Sequence, residues 1–438
     1  MSRFQAVLYI VFGLLILVGV VLFAGFVPGT GPSSGAADLV MWGTLPEDSL
    51  TPIFDDFNSK FKDITRITYL QKDERTFEQE LVEDLARGLG PDLVLITPAL
   101  LARQGDKLVA MPNQAVSVRT FRDTFIDGAE IFLSADGALA MPFLVDPLVL
   151  YWNRDLFSGA GVPKVPSYWD EVLALPERLT VRDGKGNITR SAIALGGYKN
   201  ISHAKDILSA LFLQVGDPIA QPVFIEGGVR PDIVLGEGTN AAPSQADSAL
   251  RFYTEFGNPA KKAYSWNSAL RNSIEYFNAG LLAMYVGYAS ELTALRNGNP
   301  HLDLDVATIP QIRPAGQELP LTRTFGRIIG IGTLRNSRNV EKALQVSLLL
   351  SQADVAGIFS QALNIPPARR DLLSQEALDD PFTPVFNRSA LSVQSWLDPS
   401  PSQTDTIFRE MVEGVLIGGS TEGSLVRDAR DRMQALVR

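Results

Sequence analysis

Leu139-Ala140-Met141-Pro142-Phe143-Leu144-Val145-Asp146-Pro147-Leu148-Val149-Leu150-Tyr151-Trp152 runs as one extended apolar stretch, interrupted only by Asp146-Pro147. Proline donates no N–H to a ladder and is disfavoured inside a central strand. The stretch therefore reads as two strand pieces that meet at a crossing point.

On its N-terminal side the chain alternates regularly. Leu39-Val40-Met41-Trp42 is a short apolar strand, and Leu50, Ile53, Phe54, Phe57 and Phe61 recur at helical spacing after Pro46. Residues 64–70 alternate like a strand. Thr76 then opens a second helix, with Gln79 placed for a capping box, and Gly88 or Gly90 closes it. Pro91-Asp92 leads into the buried-strand run Leu93-Val94-Leu95-Ile96. This β-α-β-α-β order implies an α/β fold with a parallel sheet and right-handed crossovers. Ligands of such sheets bind beyond the carboxyl ends of the strands, which points to Trp42, Gly43, Thr44, Gln71 and Thr97.

On the C-terminal side, Ser167 caps a helix through Asp170 and Glu171, and Gly184-Lys185-Gly186-Asn187 reads as a hairpin turn. Helical patterns cover residues 204–215, 246–256, 265–279, 288–297, 339–350, 353–363, 407–416 and 425–436. Strands cover 304–309 and 327–333. Residues 220–244 read as an irregular Gly/Pro-rich loop.

The chain has 438 residues, enough for two or more domains, and 46% of them are hydrophobic, enough for large packed cores. A net charge of −10 argues against a nucleic-acid partner, which requires a basic face. With no cysteine and two histidines, His203 and His301, there is no thiolate metal site, no disulfide and no cysteine nucleophile. Neither a GxSxG elbow, a Walker A loop nor a complete GxGxxG motif occurs, so no enzyme, metal or cofactor is expected. Asp183 to Asn187 is better read as a charged turn than as a calcium loop. Asp303 and Asp305 read as a solvated strand edge, and His203 as a polar residue near a helix start.

Residues 6–27 form an apolar run about as long as the ~20 residues that cross a bilayer. Arg3 and the amino terminus would keep the start of the chain in the cytoplasm and export the rest. Two readings stand: an uncleaved transmembrane anchor, which the length favours, or a secretory signal cut near Gly35-Ala36-Ala37. Residues 28–37, rich in Gly, Pro and Ser, then read as a flexible tether.

Asp136-Gly137-Ala138-Leu139-Ala140-Met141-Pro142-Phe143, then Leu148 to Phe157, Gly161-Val162 and Pro166-Ser167-Tyr168-Trp169-Asp170-Glu171 form an ordered set of motifs. Gly88 to Ile96, Phe277-Asn278-Ala279-Gly280-Leu281-Leu282-Ala283-Met284, Val306 to Pro310, Asn364-Ile365-Pro366-Pro367 and Gly418 to Ala429 extend it. The set resembles the family 1 extracellular solute-binding proteins, the group of the maltose-binding protein, over essentially all of Asp38 to Arg438. The resemblance implies a two-lobed periplasmic-binding-protein-like fold of type II, each lobe a mixed sheet flanked by helices and joined by hinge strands. Carried over, residues 38–145 plus 308–363 form lobe one, and 146–307 plus 364–438 form lobe two, after the leader and tether of residues 1–37.

The resemblance also supplies a cleft. Its candidate ligand residues are Trp42, Thr44, Thr97, Asp146 at the hinge and Tyr288. Phe408 stands where the maltose-binding member has an aromatic ligand residue, and Trp266 and Arg323 are looser candidates. Trp152 and Trp169 read as core. Sugars need flat aromatic surfaces plus a polar edge, and this mixture supplies both. In one respect the sequence departs from the family. The Trp and Asp-Arg pair of the maltose-binding member correspond here to Ile96, Ala99 and Leu100, which puts maltose itself in doubt. The implied function is capture of a small solute, a sugar or oligosaccharide, by hinge closure, with delivery to an ABC importer permease by an anchored monomer outside the cytoplasm. Alternatives are a sensory receptor for the same solutes and a carbohydrate-acting extracellular enzyme.

Overall fold

A computed structural model describes residues 36–225, 227–237, 244–313, 322–374 and 380–437. The expected anchor and its tether lie outside the described residues, apart from the last two tether positions. Among the described residues, no single helix is long and apolar enough to cross a membrane. One bent pair, Val340–Leu350 with Ala353–Leu363, passes by composition, but Ala343, Val346, Leu350, Ala356 and Phe359 pack it onto the core.

The strands are β1 (Ala37–Gly43), β2 (Thr65–Gln71), β3 (Leu93–Ile96), β4 (Leu108–Val109), β5 (Met111–Pro112), β6 (Gly137–Ala138), β7 (Ala140–Asn153), β8 (Val181–Arg182), β9 (Ile188–Ile193), β10 (Ala220–Ile225), β11 (Gly228–Ile233), β12 (Leu282–Tyr288), β13 (Leu304–Thr308), β14 (Thr324–Leu334) and β15 (Val393–Gln394). The main sheet runs β2-β1-β3-β14-β7-β12-β9-β8. β1 pairs in parallel with β2 and β3, as the alternating N-terminal pattern requires. Helices Glu47–Lys60 and Phe77–Arg87 cross over between them, and Gly88 ends the second in the left-handed conformation at φ +72°. Thr76 precedes that helix without making the expected cap; its hydroxyl donates to Glu80 instead.

β7 is continuous through Pro147, and the crossing is a change of partner rather than a break. Residues 140–147 pair with β14, whereas 148–153 pair with β12 and β13. Two lobes result. Leu148 to Tyr151 pack with Ile193, Phe212, Phe277, Tyr285 and Met411 in one core. Met141 and Val145 pack with Trp42, Val94, Phe132 and Ile328 on one face of the other lobe's sheet, while Phe143 and Leu144 pack with Leu39, Phe54 and Phe359 on the second.

The C-terminal half crosses elsewhere than at residues 308 and 364. Ile309 and Phe325 pack with the second-lobe core, whereas Ile365, Ala368 and Leu373 pack into the first-lobe clusters. A further crossing follows β15: Trp396 is buried in the second lobe and its neighbour Leu397 in the first.

Residues 220–244, expected to be irregular, contain the antiparallel hairpin β10–β11. Its root joins the second lobe, where Ile219, Ile233 and Leu235 are buried. Near its turn, Val229 is buried among first-lobe residues, against the helix Pro98–Gln104. The hairpin thus spans the two lobes. The helix expected over 265–279 is reduced to Ser273–Asn278, capped by Asn272.

Candidate functional site

The strand crossing brings the first candidate residues together. Asp146 of β7 faces Arg327 of β14 across the ladder. The Asp146 carboxylate is buried and accepts from the Ser290 amide at 3.0 Å and the Ser290 hydroxyl at 2.6 Å. Burial pushes its carboxyl above the usual range, against the pull of the two Ser290 donors. Arg327 is exposed to solvent, with Asp146, Asp206 and Glu74 in its electrostatic surroundings. Its guanidinium lies 4.1 Å from the Tyr288 ring centroid, a cation–π arrangement.

Tyr288 ends β12, and its ring is buried. Its hydroxyl donates to Asp206 at 2.9 Å, and burial raises the phenol well above its usual value. Glu291, in the next turn, accepts from the Tyr285 hydroxyl at 2.9 Å and pairs with the His203 Nε2 at 2.6 Å. His203 adopts a left-handed φ of +60° and packs edge-on to Tyr288 with centroids 4.8 Å apart. A polar network therefore lines the second-lobe side of the hinge. The direction of the strands explains why. β9 is parallel to β12, so residues 196–203 and 289–291 leave the same edge of the sheet.

Beside this network lies a pocket of about 450 Å³, whose polar lining includes Tyr198, His203, Lys205, Asp206, Asp405 and Arg409. The Tyr198 hydroxyl donates to Asp405 at 2.7 Å. Lys205 is tied to Asp398 at 2.8 Å, and the Asp398 carbonyl accepts from Arg103 of the first lobe at 3.3 Å.

In the first lobe, Trp42 is buried at the end of β1, and its indole N–H has no hydrogen-bond partner among the described residues. Lys72 sits 3.8 Å above its ring and is paired with Glu80 at 2.9 Å. Thr44 is exposed just beyond β1. Thr97 caps the helix Pro98–Gln104, its hydroxyl accepting from the Leu100 amide at 3.4 Å.

Three expected residues lie elsewhere. Trp266 is wholly buried, its N–H donated to Asn200 Oδ1 at 3.1 Å, so it belongs to the second-lobe core. Phe408 is wholly buried between Phe212 and Trp396. On the same helix, Pro401–Ile417, Asp405 and Arg409 face the pocket instead. Arg323 donates to the Leu213 carbonyl at 2.8 Å, at the far end of the helix Ala204–Gln214, whose N-terminus lines the pocket. Eleven residues of helix separate the two ends, roughly 16 Å at 1.5 Å per residue. Beside the aromatic, threonine and acidic candidates of the sequence, the structure adds Arg327, Ser290, Tyr198, Asp206, Asp405 and Arg409 as candidate site residues.

Residues 43–347 match the model of the family described as bacterial extracellular solute-binding protein. The chain belongs to this family. A binding protein of Brucella abortus is 23% identical over 375 residues, covering 82% of this chain and 83% of that protein. Solved structures are similar at the level of fold. A cyclo/maltodextrin-binding protein complexed with maltotetraose has a TM-score of 0.71 at 15% identity, covering 93% of this chain and 99% of that one. The sugar-binding protein MalE from Xanthomonas citri has a TM-score of 0.71 at 16% identity, with 92% and 97% covered. UgpB from Mycobacterium tuberculosis in complex with glycerophosphocholine has a TM-score of 0.68 at 17% identity, with 93% and 99% covered. The two-lobed, mixed α/β fold of this solute-binding protein is the periplasmic-binding-protein-like fold.

Proposed function

We propose that this chain captures a small polyhydroxylated solute, a sugar or oligosaccharide, between its two lobes and presents it to an ABC importer permease on the extracytoplasmic side of the membrane. The observation that carries this reading is the Asp146–Arg327 hinge pair. It lies where β7 changes partners, beside Tyr288, His203 and the pocket of the second lobe. A solute bound there and touching Trp42, Thr44 or Thr97 of the first lobe would stabilise the closed arrangement by its additional contacts. Maltotetraose in one fold neighbour supports a carbohydrate. Residues 6–27 would act as an uncleaved anchor, holding a monomeric receptor near its permease and raising its effective concentration.

A thermal-shift screen of the purified chain tests the ligand class, using mono- and oligosaccharides, polyols, amino acids and peptides. A ligand at 100 times its Kd adds about 2.7 kcal/mol to stability. Carbohydrates are expected to raise Tm. A rise with amino acids or peptides alone would remove carbohydrate from the reading.

A further inference from the structure

We infer that the solute carries an anionic group, a carboxylate or a phosphate, and that Arg327 is the residue that selects it. The inference rests on the cleft being the solute site and deepens that reading by naming the charge of its ligand.

The first ground is an account of hydrogen bonds around Arg327. Of the carboxylates around it, Asp146 and Glu291 are engaged by other donors at both oxygens and Asp206 at one. Both oxygens of Asp146 are taken by Ser290. Asp206 Oδ2 accepts from Tyr288, and the two oxygens of Glu291 meet His203 and Tyr285. Arg327 makes no hydrogen bond or ion pair among the described residues, although Asp146, Asp206 and Glu74 lie within electrostatic reach. A guanidinium stays charged and presents five N–H donors in a planar fork. Here the fork lies by the Tyr288 ring, and solvent reaches it.

The second ground is that a further cation of the pocket and an indole donor of the first lobe also lack acceptors. Arg409 lines the pocket that Asp206 also lines and makes no hydrogen bond or ion pair among the described residues. Across the hinge, the Trp42 indole N–H is buried and unpartnered, and a buried donor in that state requires an explanation. Each hydroxyl of a neutral sugar brings a donor along with its acceptor lone pairs, and its bonds to a guanidinium are not charge-assisted. A carboxylate or phosphate brings acceptors only, in the geometry that a guanidinium fork matches bidentately. Asp206 Oδ1 and Asp405 Oδ2, which accept from no donor among the described residues, remain for hydroxyl groups of the same solute.

The test uses isothermal titration of the full-length protein with matched probes: glucose, glucuronate and glucose 6-phosphate, and the longer pair maltotriose and trigalacturonate. An acidic member should bind at least tenfold more tightly than its neutral counterpart, and its affinity should fall as salt is raised. The glucuronate and glucose 6-phosphate arms separate carboxylate from phosphate. Arg327→Gln should abolish the preference while leaving the unliganded Tm within a few degrees; Arg327→Lys, which keeps the charge without the fork, should restore only part of it. Equal or tighter binding of the neutral members would overturn the inference and leave the carbohydrate reading intact. Failure of all these probes to bind would overturn both. An acid preference that survives Arg327→Gln would remove Arg327 from its role.

Discussion

Trp266→Phe separates a core tryptophan from a ligand-stacking one. The indole has no exposed surface, meets Tyr276 edge-on with centroids 5.6 Å apart, and donates to Asn200 Oδ1 at 3.1 Å. Phenylalanine keeps most of the packing but removes the five-membered ring and the donor. The lost apolar volume corresponds to one or two buried methylenes, about 0.8 kcal/mol each. Leaving Asn200 Oδ1 unsatisfied costs about 1–3 kcal/mol more. The sum is roughly 2–5 kcal/mol. Asn200 also donates to the carbonyls of Asn267 and Leu270, both at 2.9 Å, so the damage stays within one loop cluster of the second lobe. Each kcal/mol moves the Tm of a domain of about 200 residues by about 2–4 °C, so the second-lobe transition should fall by at least 4 °C. Urea unfolding followed by near-UV circular dichroism measures the loss. In a double-mutant cycle with Asn200→Ala the two changes should be non-additive by about 1 kcal/mol. An unchanged urea midpoint combined with a tenfold loss of solute affinity would refute the core assignment and return Trp266 to the cleft.

Two other perturbations address the hinge. Asp146 has a raised carboxyl pKa in the folded protein, caused first by burial, so its contribution to stability is fully present below the unfolded value near 3.8 and is lost as pH rises through the higher folded value. Asp146→Asn does not titrate, so its Tm relative to wild type should increase from about pH 4 towards neutrality; a relative Tm that falls over that interval would contradict the assigned direction. Val229→Asp places a carboxylate against the first-lobe side of the β10–β11 hairpin, where burial without a partner costs several kcal/mol, so the hairpin should release and the radius of gyration of the unliganded protein should increase in X-ray scattering. An unchanged scattering profile would show that the hairpin does not hold the lobes together.

The features legible in the sequence are those set by local chemistry or by one-sided burial. The alternation from Asp38 to Ile96 gave the parallel β1-β2-β3 unit because each strand and helix carries its own periodicity. Asp183 to Asn187 was legible as a turn because Asp183 can accept from the Lys185 and Asn187 amides, as it does at 2.8 and 2.9 Å. The β10–β11 hairpin was not legible: Pro222 pairs opposite Pro231, and two prolines with adjacent glycines read locally as irregular chain. Trp266 and Phe408 show a different limit. Aromatic character suits a core and a sugar-stacking surface equally well, and only the rotation of the helix Pro401–Ile417 decides that Phe408 turns inward while Asp405 and Arg409 face the pocket. Arg327 did leave a signal, since it is a lone cation in an otherwise apolar strand, but its meaning depends on Asp146, 181 positions earlier in the chain, being its ladder partner.

That same ladder is where a closure of the proposed kind would bend the chain. Pro147 has no N–H to donate and faces Gly326, where a side chain would press within 2.8 Å of Val393 and 2.9 Å of the Asp146 carbonyl. The ladder is thus thinnest where β7 leaves β14 for β12 and β13. Immediately before it, the Asp146 side chain reaches from β7 to Ser290, beyond the end of β12. A hinge of this kind needs few backbone hydrogen bonds to give way, because the junction contains a residue that cannot make one and a residue with no side chain to obstruct rotation. Asp146–Ser290 then fixes how the second lobe meets the strand. The buried carboxylate is better explained as the link that couples the groove wall to the hinge than as a direct solute contact. Arg327, one ladder step away and still open to solvent, is left as the group at that junction that a solute can reach.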